Sequence, residues 1–283
     1  MKNIKVLLLV LLFALAIPAL GQEPTYFMML TDTQMGLHAS DKNFVQETAN
    51  FEFAVATVNR LKPAFVVILG DLINKTGDAE EIKEFQRISK TIDASIPTYL
   101  VAGNHDIGHV PTVEGVAAYR KNFGRDYYSF RAGPVYGIVL DSGLICEPKN
   151  VSSEYAEQLS WLKEELERAK TAGAPEIIVF QHHPYFVKEA NEPDQTFNIP
   201  GERRKQFLDL LHSYGVRYVF AGHTHKNYVA KDGDLEMTAT GPVGMPFAED
   251  GSGIRIAAVT PAGVLHRYYD FGKLPSKFPV MNK

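Results

Sequence analysis

The chain of 283 residues contains one cysteine, Cys146, and one tryptophan, Trp161. A single cysteine excludes any intrachain disulfide, so stability must come from core packing. Cys146 itself reads as a small packed side chain, because Lys149 is the only basic neighbour that could activate a thiol. Positive charge is not in excess either. Lys and Arg number 29 against 33 Asp and Glu, and the resulting net charge of −4 argues against extended nucleic-acid binding. Internal repeats and low-complexity segments are absent, and the longest apolar run, roughly 15 residues over 6–20, falls short of the ~20 that a spanning helix needs.

What is there begins with that run. Lys2 and Lys5 precede it and Ala19-Leu20-Gly21 closes it with small residues, the layout of a cleavable secretory signal, with an uncleaved anchor as the alternative. Residues 1–21 are therefore expected to be a removed signal peptide, leaving no stable membrane span and a secreted or periplasmic product. Loss of Lys2 and Lys5 takes the net charge from −4 to −6. A composition of 45% hydrophobic and 22% charged residues is that of a globular protein, and residues 22–283 are expected to form one domain.

Residues 25–31 read as a buried strand, followed by Phe44, Thr48, Phe51, Val55 and Val58 at helical spacing. The pattern repeats with a strand over 64–69, a helix over 79–92 and a strand over 98–102, which predicts a largely parallel sheet with covering helices. Segments 127–130 and 135–140 flank Gly133-Pro134 and predict an antiparallel pair that opens a second sheet. Tyr155, Leu159, Leu162, Leu166 and Ala169 form a helical stripe behind Ser152 or Ser153 as the expected N-cap. Strands are expected over 177–180 and 216–221, with a helix through Phe207, Leu210, Leu211 and Tyr214 between them. Three short strands follow over 235–240, 254–259 and 264–269.

Polar residues cluster where the apolar runs end: Asp32-Thr33-Gln34, Gly70-Asp71, Gly103-Asn104-His105-Asp106, His182, and Gly222-His223-Thr224-His225. Open α/β sheets bind ligands outside the carboxyl ends of their strands, so these segments are expected to converge. Carboxylates, amides and imidazoles in such number fit two divalent ions, which at about 3.5–4 Å apart can lower the pKa of a shared water from 15.7 to about 7. Asp71 is the expected bridge. Asp32, Gln34 and His225 complete one ion's shell, and Asn104, His182 and His223 the other's. Mixed oxygen and imidazole donors suit manganese, iron, zinc or magnesium.

Asp71 after Gly70, Gly103-Asn104-His105-Asp106, His182 with Pro184, and Gly222-His223-Thr224-His225 resemble the calcineurin-like metallophosphoesterase superfamily. Thr31-Asp32-Thr33-Gln34 with Gly36, Val179-Phe180-Gln181-His182 and His266-Arg267-Tyr268-Tyr269 are similar to its calcineurin-like phosphoesterase domain-containing protein 1 branch. The resemblance covers nearly all of residues 22–283. It implies a four-layer α/β/β/α sandwich with two mixed sheets, phosphoester hydrolysis, and protein serine/threonine phosphatase activity as one outcome. The family pattern of His followed two positions later by Pro selects His182 over His183 as the ligand. Where the superfamily most often has Asp-x-His in its first segment, this chain has Gln34, whose amide oxygen makes a harder metal site.

His105 is the expected general acid, placed beside the leaving oxygen by Asn104, with Asp106 expected to fix its tautomer. The leading function is a metal-dependent phosphomonoesterase acting on a phosphoprotein or small-molecule phosphate ester. A phosphodiesterase on the same core is the alternative, and a metal- or phospho-ligand-binding protein without turnover is an alternative of another class. Residues 184–201 read as a long loop, either a lid or specificity surface or a solvated surface loop, and Arg203 and Arg204 invite a carboxylate or phosphate partner. His38 could substitute as a ligand but reads more readily as an exposed loop residue, and His109, His212 and His266 carry no comparable case.

Overall fold

The computed structural model of the chain describes residues 23–247, 249 and 251–281. The expected signal over 1–21 lies outside them. Strand β1 (Thr25–Leu30), helix α1 (Val45–Leu61), β2 (Phe65–Ile68), α2 (Ala79–Ser89) and β3 (Thr98–Leu100) reproduce the alternation read from the sequence. Short helices α3 (Asn104–Ile107) and α4 (Val113–Phe123) lead to the expected hairpin of β4 (Tyr128–Ala132) and β5 (Val135–Val139). Next come α5 (Ser142–Cys146), α6 (Ser152–Thr171), β6 (Glu176–Phe180), α7 (Gly201–Ser213) and β7 (Tyr218–Ala221). The last strands are β8 (Tyr228–Asp232), β9 (Leu235–Ala239), β10 (Gly253–Thr260) and β11 (Gly263–Asp270).

Two mixed sheets result, one ordered β11-β10-β1-β2-β3 and the other β4-β5-β6-β7-β9-β8. Within them β1, β2 and β3 run parallel, as do β5, β6, β7 and β9, and antiparallel strands close the edges. Continuous apolar runs conceal a period of two, because both faces of each sheet are covered. Phe27, Met29, Phe65 and Val67 meet Ile178, Phe180 and Phe220 between the sheets. Their neighbours Met28, Leu30, Val66 and Ile68 face Phe51, Val55 and Val58 of α1 and Phe85 and Ile88 of α2. On the far side Ile177, Val179 and Val219 pack against Leu162 and Leu166 of α6 and Phe207 and Leu211 of α7, with Cys146 at the margin. The layers are α/β/β/α, as the resemblance implied.

Gly137 pairs with Phe130 across the hairpin, and a Cβ on it would sit 2.2 Å from that ring, so the bare backbone is what lets Phe130 lie inside the central core. Three details depart from expectation. The N-cap of α6 is Val151, which makes no side-chain capping bond; it is fully buried beside Val116, Leu144 and Tyr155, and that contact decides where the chain enters the helix. Strand β8 was not foreseen because its exposed edge carries Lys231 and Asp232 rather than an apolar run. Helices α3 and α5, of 4 and 5 residues, are too short to show a period. Among the described residues no helix is long and apolar enough to cross a membrane.

Candidate metal centre

All seven expected ligands lie within four residues of the carboxyl end of β1, β2, β3, β6 or β7. Five of them hold a left-handed backbone: Asp32 (φ 49°), Gln34 (40°), Asp71 (49°), His223 (68°) and His225 (51°). Each such conformation costs a non-glycine residue about 1–3 kcal/mol, so the surroundings must impose it. Cross-links between strand ends do so. Asp32 N donates to Gly70 O at 3.0 Å, Gln34 N to Asp71 O at 2.9 Å, and Gly222 N to His182 O at 3.0 Å. Glycines permit the close approach: a Cβ on Gly103 would sit 2.2 Å from Asp71 N, and one on Gly222 would sit 1.9 Å from Thr31 Oγ1.

Side chains from the two sheets meet at this edge. Asp71 Oδ2 lies 3.1 Å from His182 Nε2, and Asp32 Oδ1 lies 3.3 Å from His225 Nε2. Asp71, His182 and His223 each bring a ligand atom within 4.8 Å of the others. Carbonyls set the imidazole tautomers, since a carbonyl only accepts. His182 Nδ1 faces Leu69 O at 2.7 Å and His225 Nδ1 faces Met245 O, which leaves Nε2 of each as the free lone pair. His223 is reversed: Nε2 donates to Thr196 O at 3.2 Å and Nδ1 is the free atom.

The fit to metal rests on lone pairs without protons. Asp32 Oδ1, Gln34 Oε1, Asn104 Oδ1 and His182 Nε2 are buried and make no hydrogen bond. His182 Nε2 is nevertheless only 3.1 Å from Asp71 Oδ2; with the ring proton on Nδ1, two lone pairs face each other there, and a cation relieves the conflict. Protonation is the other way out, and the electrostatics follow it. Burial pulls the His182 imidazole down, but the Asp71 carboxylate outweighs it and pushes it up to about 9. Burial likewise raises Asp71, yet His182 beside it holds that carboxyl well below the usual range. Burial and the charge of His182 take His223 down to about 4, a neutral ligand at pH 7. The donor set fits divalent metal ions.

Asp106 departs from its expected role. Its Oδ1 accepts from Leu72 N (2.9 Å) and Ile73 N (3.2 Å), and its Oδ2 from Gly103 N (2.8 Å), so it braces the two loops that carry Asp71 and Asn104. The His105 ring is held instead by Asn74, whose carbonyl faces Nδ1 at 2.5 Å. Asp106 is the third residue of α3, and its carboxylate turns back to the N-cap amide of Gly103, away from the adjacent imidazole. His105 N also donates to Asp71 Oδ1 at 2.9 Å, which ties the expected acid to the expected bridge.

Ser142 and Phe247 at the site escaped the sequence reading, whereas His183 stands behind the ligands as a residue expected to support them or face the substrate. His109 Nδ1 accepts from Asn104 Nδ2 at 3.2 Å, which aims Asn104 Oδ1 away from it, a contact not foreseen from the sequence. Ser142 Oγ accepts from His182 N and His183 N and lies 2.9 Å from His183 Nδ1, so His183 supports rather than joins the ligands. Phe247, 55% exposed, stacks on His225 with ring centroids 4.1 Å apart. Only the spacing of His109 four residues after His105 offered any signal. His38 enters no ligand group; its backbone amide donates to Glu47 Oε1 at 2.6 Å. His266 Nδ1 faces Arg255 Nη1 at 2.9 Å and its Nε2 faces Glu236 Oε1 at 2.7 Å, within a polar network linking the C-terminal strands of the two sheets.

Compared with known proteins, residues 26–227 match the calcineurin-like phosphoesterase family. The chain belongs to that family. This phosphoesterase is 35% identical over 271 residues to human serine/threonine-protein phosphatase CPPED1, covering 90% of this chain and 86% of that protein. Its fold is similar to the purple acid phosphatase PPD1 of yellow lupin seeds, with a TM-score of 0.66 at 15% identity over 88% of this chain and 52% of that one. It is also similar to a dimetal phosphatase from Danio rerio, with a TM-score of 0.59 at 16% identity over 88% and 100% of the two chains. Calcineurin-like phosphoesterases use a dinuclear metal centre. The family match ends at 227, but β9, β10 and β11 of this phosphoesterase complete both sheets around the ligand-bearing strands.

Proposed function

We propose that residues 22–283 form one catalytic domain, a metal-dependent phosphomonoesterase that works outside the cytoplasm on phosphorylated serine or threonine side chains. The observation that carries this reading is the set of four buried, unpartnered lone pairs, on Asp32, Gln34, Asn104 and His182, contributed by strand ends of both sheets. Asp71, fully buried against His182 and the amide of His105, is the proposed bridge. Asp32, Gln34 and His225 would hold one ion, and Asn104, His182 and His223 the other. Manganese, iron, zinc and magnesium all suit these donors.

Two bound divalent ions supply Lewis acidity and a water of lowered pKa. His105 does the remaining proton work. Its Nδ1 proton is committed to the Asn74 carbonyl, so Nε2 is the atom that gives a proton to the leaving oxygen. The ring is only part-buried, as is His223, while the other six proposed ligands are buried. Support for the substrate class comes from relatives named serine/threonine-protein phosphatases that match over 90% of this chain. The layout of residues 1–21 supports the extracytoplasmic location.

Purified protein loaded with manganese should hydrolyse an aryl phosphate and a phosphoseryl peptide, and Asp71→Asn should lose at least 100-fold, roughly the loss expected when a group acting directly in the transition state is removed. Unchanged turnover in Asp71→Asn would overturn the assignment. A bis-aryl phosphate cleaved faster than either mono-ester would transfer it to phosphodiesters. Secreted material is expected to begin at Gln22, and Edman sequencing that returns Met1 would refute signal cleavage.

A further inference from the structure

Gln34 is an ambiguous ligand, because its amide presents an oxygen on one side and an NH2 on the other, and only the oxygen binds a cation. Something must choose. Gln34 Nε2 donates to Asn74 Oδ1 at 3.2 Å, which leaves Oε1 as the buried, unpartnered atom. Asn74 faces the same ambiguity. Its Nδ2 lies 2.5 Å from Asp41 Oδ1, and an ionised carboxylate accepts and never donates, so the NH2 of Asn74 must face Asp41 and its oxygen must face Gln34. The backbone of Asn74 is anchored independently, its N–H donating to Glu81 Oε2 at 2.9 Å.

We propose that Asn74 is a positioning residue for the first metal: Asp41 fixes the polarity of the Asn74 amide, and Asn74 in turn fixes the polarity of Gln34 so that Oε1 faces the ion. An imidazole at position 34 would not present this oxygen-or-nitrogen choice, so the relay belongs to the chain's departure from the usual Asp-x-His segment. The same residue holds His105 through its carbonyl, but that bond is main chain and survives any substitution of the side chain. The inference rests on the proposed dinuclear site.

The test counts ions rather than turnover. Wild type, Asn74→Ala, Gln34→Glu and the double variant are loaded with manganese, dialysed against graded EDTA and assayed for metal per chain by plasma mass spectrometry. Wild type should hold two ions. Asn74→Ala should release one of the two at about 10–100-fold lower chelator, the usual effect of losing a partner that orients a ligand. A carboxylate at position 34 has two equivalent oxygens, so in the Gln34→Glu background Asn74→Ala should cause no further loss. Asp41→Asn, a conservative change at an exposed residue, should weaken the same ion and serves as the probe if Asn74→Ala does not fold. Retention of both ions at wild-type chelator levels by every folded Asn74 or Asp41 variant would overturn the proposal, as would equal losses in the Gln34 and Gln34→Glu backgrounds. A wild-type chain that never holds two ions would overturn the proposed function itself and this inference with it.

Discussion

At the scale of single residues, this site is a matter of which atom carries a proton and which does not. Gly103 shows how little room is left around those atoms. Gly103→Ala would drive a Cβ to 2.2 Å from both Asp71 N and Asp71 Oδ1, and backbone cannot step aside as a flexible side chain can. Activity on an aryl phosphate should fall at least 100-fold, roughly as predicted for Asp71→Asn, with a stability loss of about 1–3 kcal/mol in urea melts. Wild-type activity in this variant would mean that Asp71 need not sit where it does.

Asp141 offers a residue-scale test in pH. It caps α5 through Oδ1, which accepts from Gly143 N at 2.9 Å, while Oδ2 is buried without a partner. Burial, with the Asp126 charge behind it, pushes the carboxyl up to about 8. Unfolded, it loses its proton near pH 3.8, the ordinary value. Between these two values the folded state holds a proton that the unfolded state has lost, so stability falls as pH rises, by at most about 1.4 kcal/mol per unit. Below the unfolded value both states are protonated and the effect vanishes. Asp141→Asn keeps the cap and has no proton to lose. Its urea midpoint should match wild type near pH 4 and exceed it increasingly toward pH 8, and a difference that stays constant across this range would refute the assignment.

At the scale of elements, residues 181–200 between β6 and α7 carry no regular structure, yet they are a packed strap rather than a free lid. Tyr185, Phe186 and Ile199 are fully buried in the second core, and Glu192 accepts from the amides of Val187, Lys188 and Glu189. Arg204 of α7 meets the expected carboxylate: it lies 3.9 Å from Glu192 and 3.4 Å from Asp194 and donates to the carbonyls of Tyr185 and Glu192. Arg203 finds a carbonyl instead, that of Cys146 at 2.7 Å. The strap reaches the metal centre where Thr196 O sets the His223 tautomer, with Phe197 exposed beside it. Arg204→Met would leave Glu192 buried without its cation, at a cost of about 3 kcal/mol. Limited proteolysis should then cut within 184–200 well before wild type is cut. Equal resistance in the two proteins would show that the strap does not depend on Arg204.

At the scale of the whole molecule, the two sheets bring Asp71 of one to His182 of the other, and Asp32 to His225, so ions at this edge would join the halves. A ligand that binds only the folded state stabilises it by about 2.7 kcal/mol at 100 times its dissociation constant. Stripping metal with a chelator should therefore abolish hydrolysis and lower the melting temperature by several degrees, roughly 2–4 °C per kcal/mol in a chain of this size. Adding manganese back should restore both. Restored activity with no thermal shift would place the ions outside the inter-sheet edge.

The sequence by itself determined the strands, the covering helices and the second sheet, and it placed all seven expected ligands at strand ends, because buried strands must be apolar and polar residues at their ends stand out against them; the four layers came from the family resemblance. It also carried the family, through motifs whose residues are contiguous. It did not determine what each donor does with its protons. Gln34 is oriented by a residue 40 positions away, His182 by one 113 positions away and His225 by one 20 positions away, and Asp106 turns to the amides of Leu72 and Ile73 rather than to the adjacent imidazole. Hydrogen-bond polarity depends on the partner across the gap, and that partner is chosen only when the two sheets close on each other. Tertiary structure therefore decided the tautomers, the amide orientations and the strap on His223, the features on which the proposed ligation by these seven polar residues depends.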